Sequence, residues 1–141
     1  MSEVRALFPG FAEGRALVLT EPLSFWGGVD AADGTIIDRH HPQAGETVRG
    51  RVLVMPSGRG SSSSSSVLAE TIRAGTGPLA IVLVEPDGIL AMGALVAAKL
   101  YGTTTPVVVA DDATYRSIAS GMEIEIRRQD GGWEVAGGGG H

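Results

Sequence analysis

The chain has 141 residues, 43% of them hydrophobic and 19% charged, which fits one soluble domain with a proper core and leaves little room for two. A formal charge of −5 argues against nucleic acid or an anionic membrane surface as a partner. With no cysteine, the chain has no disulfide and no thiolate to offer an iron–sulfur cluster or a cysteine-type zinc site.

In chain order, Val4–Phe8 and Ala16–Thr20 are short apolar runs separated by the turn-prone PGFAEGR, and they predict a first antiparallel pair. The segment LSFWGGVD (23–30) leads into an Asp33-Gly34 turn and TIID (35–38), a hairpin signal. Pro42 biases His41 away from helix, so RHHP is a loop. Val48–Met55 alternates and then becomes continuously apolar, as a strand does on entering a buried sheet. A helix is predicted over Val67–Ala74, a buried strand over Ala80–Val84, a helix over Gly88–Leu100 and a third buried strand over Pro106–Ala110. Asp111 and Asp112 read as the N-cap of a short helix, Ala113–Ala119, ended by Gly121. Met122–Arg127 alternates as a strand and pairs with Trp133–Ala136 across Gly131-Gly132.

The middle thus reads strand–helix–strand–helix–strand, which predicts parallel strands with right-handed crossovers. The strand-rich ends predict a smaller antiparallel sheet. The expected class is α/β, in three layers, with a partly parallel central sheet. Gly137–Gly140 before His141 reads as a disordered Gly-rich tail over 137–141. The most apolar stretch, Gly88–Leu100, falls well short of the ~20 residues of a membrane helix. MSEVRALFPGF has no signal-peptide pattern, so the expected compartment is the cytoplasm.

The chemistry concentrates at MPSGRGSSSSSSVLAE (55–70), where six serines stand between a strand and a helix. A serine run by itself reads as a flexible linker. Removing it here would leave two pieces too small to fold, so it belongs to a strand-to-helix turn. Gly58 and Gly60 permit positive φ and close backbone approach, and serines at a helix start cap its free N–H groups. The helix dipole then favours a carboxylate or phosphate, and Arg59 adds a guanidinium suited to a carboxylate. The Walker spacing and its Lys are absent, and so is the G-x-S-x-G elbow of serine hydrolases. The residues themselves define an anion site with a candidate catalytic serine, and equally allow a non-catalytic anion- or partner-binding module.

SFWGGVD (24–30), IIDRHHP (36–42), GRVLVMPSGRGSSSSS (50–65) and VLAE (67–70) resemble the small, swivelling subunit of aconitase X, a hydro-lyase group of the aconitase superfamily. The resemblance implies a swivelling β/β/α domain over residues 1–136. It also implies a two-chain dehydratase whose large subunit carries an iron–sulfur cluster on its own cysteines, so this chain would bind no cofactor or metal. Members include cis-3-hydroxy-L-proline dehydratases and phosphomevalonate dehydratases, and the uniform serine run favours the hydroxyproline substrate, with the phosphomevalonate enzyme as the alternative. It implies that Ser61 is the general base, with Ser62 the alternative one residue on. Gly58, Arg59, Gly60, Ser62 and Ser63 would meet a small hydroxy-carboxylate substrate. Phe25, Trp26, Gly27, Gly28, His40 and His41 are candidate site-edge or subunit contacts. Adjacent histidines in an extended segment point to opposite sides and lack a third ligand, so they are not read as a metal site. A second stretch, GILAMGALVAAKLYGTTTPVVV (88–109), is similar to the swivelling phosphohistidine domain of phosphoenolpyruvate-using enzymes. Met92-Gly93 stands where those carry histidine, so only the fold implication remains.

Overall fold

The computed structural model describes residues 4–137. Alternation along the strands sorts their apolar side chains into two cores. In β3 (Arg51–Met55), Val52 and Val54 enter one core while Leu53 and Met55 enter the other. The same division runs through β4 (Ala80–Leu83) and β5 (Val107–Ala110), with Val82 and Val108 on one side and Ile81, Leu83 and Val107 on the other. Covered on both faces, these strands are continuous apolar runs, which is why they are legible in the sequence.

Together with β2 (Ala12–Val18) they form a parallel block. Three antiparallel strands extend it: β1 (Val4–Phe8), β6 (Glu123–Gln129) and β7 (Gly132–Gly137). The result is one seven-stranded sheet in the order β1-β5-β4-β3-β2-β6-β7. Two expectations change here. The first two strands are not a hairpin: β1 pairs antiparallel with β5, Val4 opposite Ala110, and β2 runs parallel to β3, Arg15 opposite Arg51. The parallel block has open edges at β5 and at β2, and covering each needs a strand from a different end of the chain. The antiparallel strands also do not form a sheet of their own. β6 bonds directly to β2, Ala12 opposite Ile126, and the sheet curls until β7 comes beside β1 in a nearly closed barrel. The layering survives in the cores, one between sheet and helices and one inside the curl around Ala16, Val54, Val82, Ile124 and Ile126. The expected β6–β7 hairpin is present.

Among the described residues there are four helical segments: α1 (Phe25–Gly28), α2 (Ser63–Ala74), α3 (Gly88–Tyr101) and α4 (Asp112–Ser117). α2 starts inside the serine run rather than at Val67. α4 is capped as expected, Asp111 accepting from the Thr114 N–H at 2.9 Å, but it stops before Ile118. Gly121 is instead the turn into β6, with φ +90° and its N–H donated to Ala16 O. The expected tail lies outside the described residues beyond Gly137, which itself ends β7. Among the described residues no helix is long and apolar enough to cross a membrane.

Candidate active site

The loops after β2, β3 and β4 all leave the carboxyl ends of neighbouring parallel strands, the place where open α/β sheets gather their binding loops. The loop after β3 is the Gly58–Ser62 turn, and it is held from three directions. Pro56 O accepts the N–H groups of Val84 and Glu85 from the loop after β4. Gly58 bridges to Leu23 from the loop after β2. A Cβ on Gly58 would overlap the Asp87 carboxylate, so any larger residue would have to displace that side chain. Gly60 has φ +111°, and a Cβ there would overlap the Ser24 hydroxyl.

The six serines divide by what their hydroxyls do. Ser64 is buried, and its Oγ lies 3.3 Å from Ser24 Oγ and accepts the Trp26 N–H at 3.3 Å. Ser65 Oγ donates to Ser62 O at 2.7 Å. Ser61, Ser62 and Ser63 are exposed, as are Arg59 and Gly60. Ser61 stands just ahead of the helix, and its Oγ accepts the Ser63 N–H at 3.3 Å. That oxygen therefore faces the positive end of a 12-residue helix, where an N–H donor and the dipole both favour an anionic form. Ser62 is the N-cap by position but makes no side-chain cap bond.

Ser64 also explains where FWGG goes. Ser24 Oγ donates to Trp26 O at 3.0 Å, and the backbone departs from helical geometry at Trp26 and at Gly27, whose φ is +80°. Phe25 is buried in the helix-side core and Gly28 packs on Leu23, while Trp26 stands 61% exposed. Phe25 is thus an anchor, and Trp26 is the member of the pair that faces outward beside the serine turn. The histidines part in the same way. His41 is buried, with Nδ1 accepting the Gln43 N–H at 3.0 Å. The proton must then sit on Nε2, which donates to Glu21 O at 3.1 Å and fastens the loop after β2 that leads to Ser24. His40 is exposed, and its backbone N–H donates to Asp38.

Three residues of the turn's support are not among those singled out from the sequence: Ser24, Ser64 and Asp87. Asp87 caps α3, its Oδ1 accepting from Ile89 and Leu90 at 2.8 and 3.2 Å, while its other oxygen lies against Gly58. An Asp ahead of an apolar helical run is a readable cap signal. Ser64 carries no such signal, because its neighbours are identical. A cleft of about 480 Å³ lies away from the turn, at the seam between β1 and β7, and includes Arg5, Asp111 and Trp133. The chain does not fit an iron–sulfur cluster, since it has no cysteine, and among the described residues no three His, Asp or Glu gather as ligands.

Fold and turn together define a small α/β domain whose parallel strands end in a hydroxyl-lined, glycine-shaped turn. The chain belongs to the aconitase X swivel domain family, whose model matches residues 1–135. It is 52% identical over 103 residues to a cis-3-hydroxy-L-proline dehydratase of Pseudomonas aeruginosa, a match covering 73% of this chain and 18% of that protein. It is 36% identical over 131 residues to the phosphomevalonate dehydratase small subunit of Pyrococcus furiosus, covering 93% of this chain and 92% of the relative. The crystal structure of Thermococcus kodakaraensis aconitase X in its holo form superimposes with a TM-score of 0.80 at 31% identity, covering 95% of this chain and 96% of that one. The chain spans about a fifth of the length of the cis-3-hydroxy-L-proline dehydratases it matches.

Proposed function

We propose that this chain is the small subunit of a heteromeric, cytoplasmic aconitase X-type hydro-lyase acting on cis-3-hydroxy-L-proline, with Ser61 as the general base. The observation that carries the reading is the Ser61 hydroxyl, exposed at the carboxyl end of β3 and accepting an N–H at the start of α2, in a chain of this family. The proton on the carbon next to the substrate carboxylate passes to Ser61 Oγ. The helix N-terminus and Arg59 make the alkoxide less costly there than in water. Arg59, on the same exposed turn, pairs with the carboxylate, and the backbone at Gly58 and Gly60 with the hydroxyls of Ser62 and Ser63 completes the small-subunit wall of the site. Departure of the substrate hydroxyl would belong to the large subunit, which the family resemblance implies would carry an iron–sulfur cluster. The 52% identity to the Pseudomonas enzyme supports the hydroxyproline substrate. The near end-to-end match to an archaeal small subunit supports mevalonate 5-phosphate as the second reading.

Co-expression with its cysteine-bearing large subunit, followed by assays of both substrates, tests this. The expected result is dehydration of cis-3-hydroxy-L-proline by the complex, no turnover by this chain alone, and a Ser61→Ala complex that assembles without turnover. Near-wild-type activity of that variant overturns the base assignment. Association without activity on either substrate makes the chain a binding module instead.

A further inference from the structure

α2 and α3 cover the same side of the sheet and pack on each other, with Gly93 of α3 set against Ser65 O and Leu68. Their outward faces differ in kind. α2 turns Ser66, Glu70 and Arg73 outward, the last two joined as an ion pair. α3 leaves Met92 52%, Leu95 37% and Leu100 67% exposed, with Ile89 and Val96 half-buried beside them. Lys99 is the one charged residue in GILAMGALVAAKLY. A helix apolar on all sides is one that its working assembly buries, and an exposed patch of this kind marks an interaction surface.

Two observations say what covers it. The match to the Pseudomonas relative takes up 18% of that protein, so about four-fifths of it lies outside this domain, on the same polypeptide. The Pyrococcus relative is matched over 92% of its length and is named a small subunit. What the first holds covalently, the second must recruit by surface contact. The patch also runs into the site: Asp87, which caps α3, lies against Gly58 of the serine turn. A body seated on α3 therefore arrives at the Gly58 edge of that turn.

We propose that the outward face of α3, centred on Met92 and Leu95, is the surface on which the large subunit seats. This inference rests on the two-subunit reading above and adds the place of contact. Apolar side chains on this face would enter an apolar surface of the partner, with Lys99 at the rim.

The test is a Met92→Glu/Leu95→Glu double variant of the full chain, titrated with the large subunit and assayed with it. Both positions are exposed, so thermal unfolding of the isolated variant stays at the wild-type temperature. Affinity for the large subunit falls roughly 100-fold, as for two desolvated hot-spot residues, and turnover recovers when the large subunit is raised to saturation. Met92→Leu, which keeps the face apolar, binds as wild type. Undiminished affinity of the double variant overturns the proposal. A wild-type homodimer that the double variant dissolves, with large-subunit binding unaffected, overturns it in favour of self-association. The two-subunit reading fails separately, when the wild-type chain shows neither association nor turnover, and it takes the docking surface with it. If the wild-type complex is active and the double variant matches it, the docking surface alone falls.

Discussion

The two ends of the parallel block use the same chemical group in opposite ways. At the amino end, where α2 turns into β4, every hydroxyl described is spent on the fold. Thr71 Oγ1 donates to Leu68 O at 2.7 Å, and Thr76 Oγ1 donates to Ala31 O at 2.7 Å from a buried position. Gly75, at φ +76°, closes α2 there, with the Thr76 and Gly77 N–H groups both donated to Thr71 O. At the carboxyl end, where β3 turns into α2, Ser61, Ser62 and Ser63 face outward on a turn held by glycines and by its neighbours' backbone. The turn that ends α2 consumes its hydroxyls, and the turn that opens α2 presents Ser61, Ser62 and Ser63. That difference, rather than the number of serines, is what singles out the second turn as the candidate site.

A reciprocal pair of substitutions breaks the comparison most strongly. Ser61→Ala in the assembled enzyme is expected to lower kcat by about 10²–10⁴-fold, the range for loss of a general base, with unfolding of the chain unchanged. Thr76→Val is expected to destabilise the chain by about 1 kcal/mol, because the half-buried Ala31 O loses its donor, with kcat intact below the unfolding range. Steady-state kinetics and thermal melts on both variants are the measurements. A Thr76→Val enzyme that loses turnover without losing stability would show that the two ends are not separate.

The turn's backbone sharpens the same contrast. Gly60→Ala meets both a positive φ and the Ser24 hydroxyl, whereas Gly45→Ala, at φ +94°, meets open space. Both are expected to cost about 1–2 kcal/mol for the left-handed backbone. Gly60→Ala alone displaces the serine turn and lowers kcat as well. Equal kinetics for the two variants would mean that the turn's shape does not matter to the reaction.

How much of this was legible depends on where the information lies. β3, β4 and β5 are readable because strands buried on both faces are apolar at every position, and Asp111 is readable as a cap because its partner Thr114 is three residues away. The partners of β1 and β2 are not, since pairing is chosen by which edges of the parallel block stand open, a property of the whole sheet. The start of α2 is hidden for a different reason. Identical serines have no hydrophobic period, so neither the helix boundary nor the division of labour among them leaves a mark. Gly58-Arg59-Gly60 located the turn; only the structure separates Ser64, which ties α2 to Trp26, from Ser61, which stays free of the core.

That separation is itself testable within the run. Ser64→Ala removes the acceptor of the Trp26 N–H and the contact with Ser24 Oγ, at an expected cost of about 1 kcal/mol. Ser66→Ala, on the exposed face of the same helix, is expected to stay within about 0.5 kcal/mol of wild type. Equal melting temperatures would return the serines to equivalence.

The smallest effect concerns a hydroxyl that lies at the carboxyl end and is nevertheless consumed. Tyr115, on α4 after β5, donates its O–H to Leu19 O at 2.7 Å and so fastens the loop after β2 that leads to Ser24. Burial pushes its phenol above the ordinary value of 10.0, and the Asp112 charge adds to the shift. A raised value favours the neutral, donating form. Its contribution to stability is therefore complete below pH 10 and is lost as pH climbs through the raised value. Tyr115→Phe is expected to lower stability by about 1 kcal/mol near neutrality. The gap from wild type should shrink in alkaline solution, as the native phenol ionises and its hydrogen bond fails. A gap that stayed constant across the alkaline range would mean that the Leu19 bond contributes nothing. Position at the carboxyl end would then sort hydroxyls into presented and consumed no better than their count does.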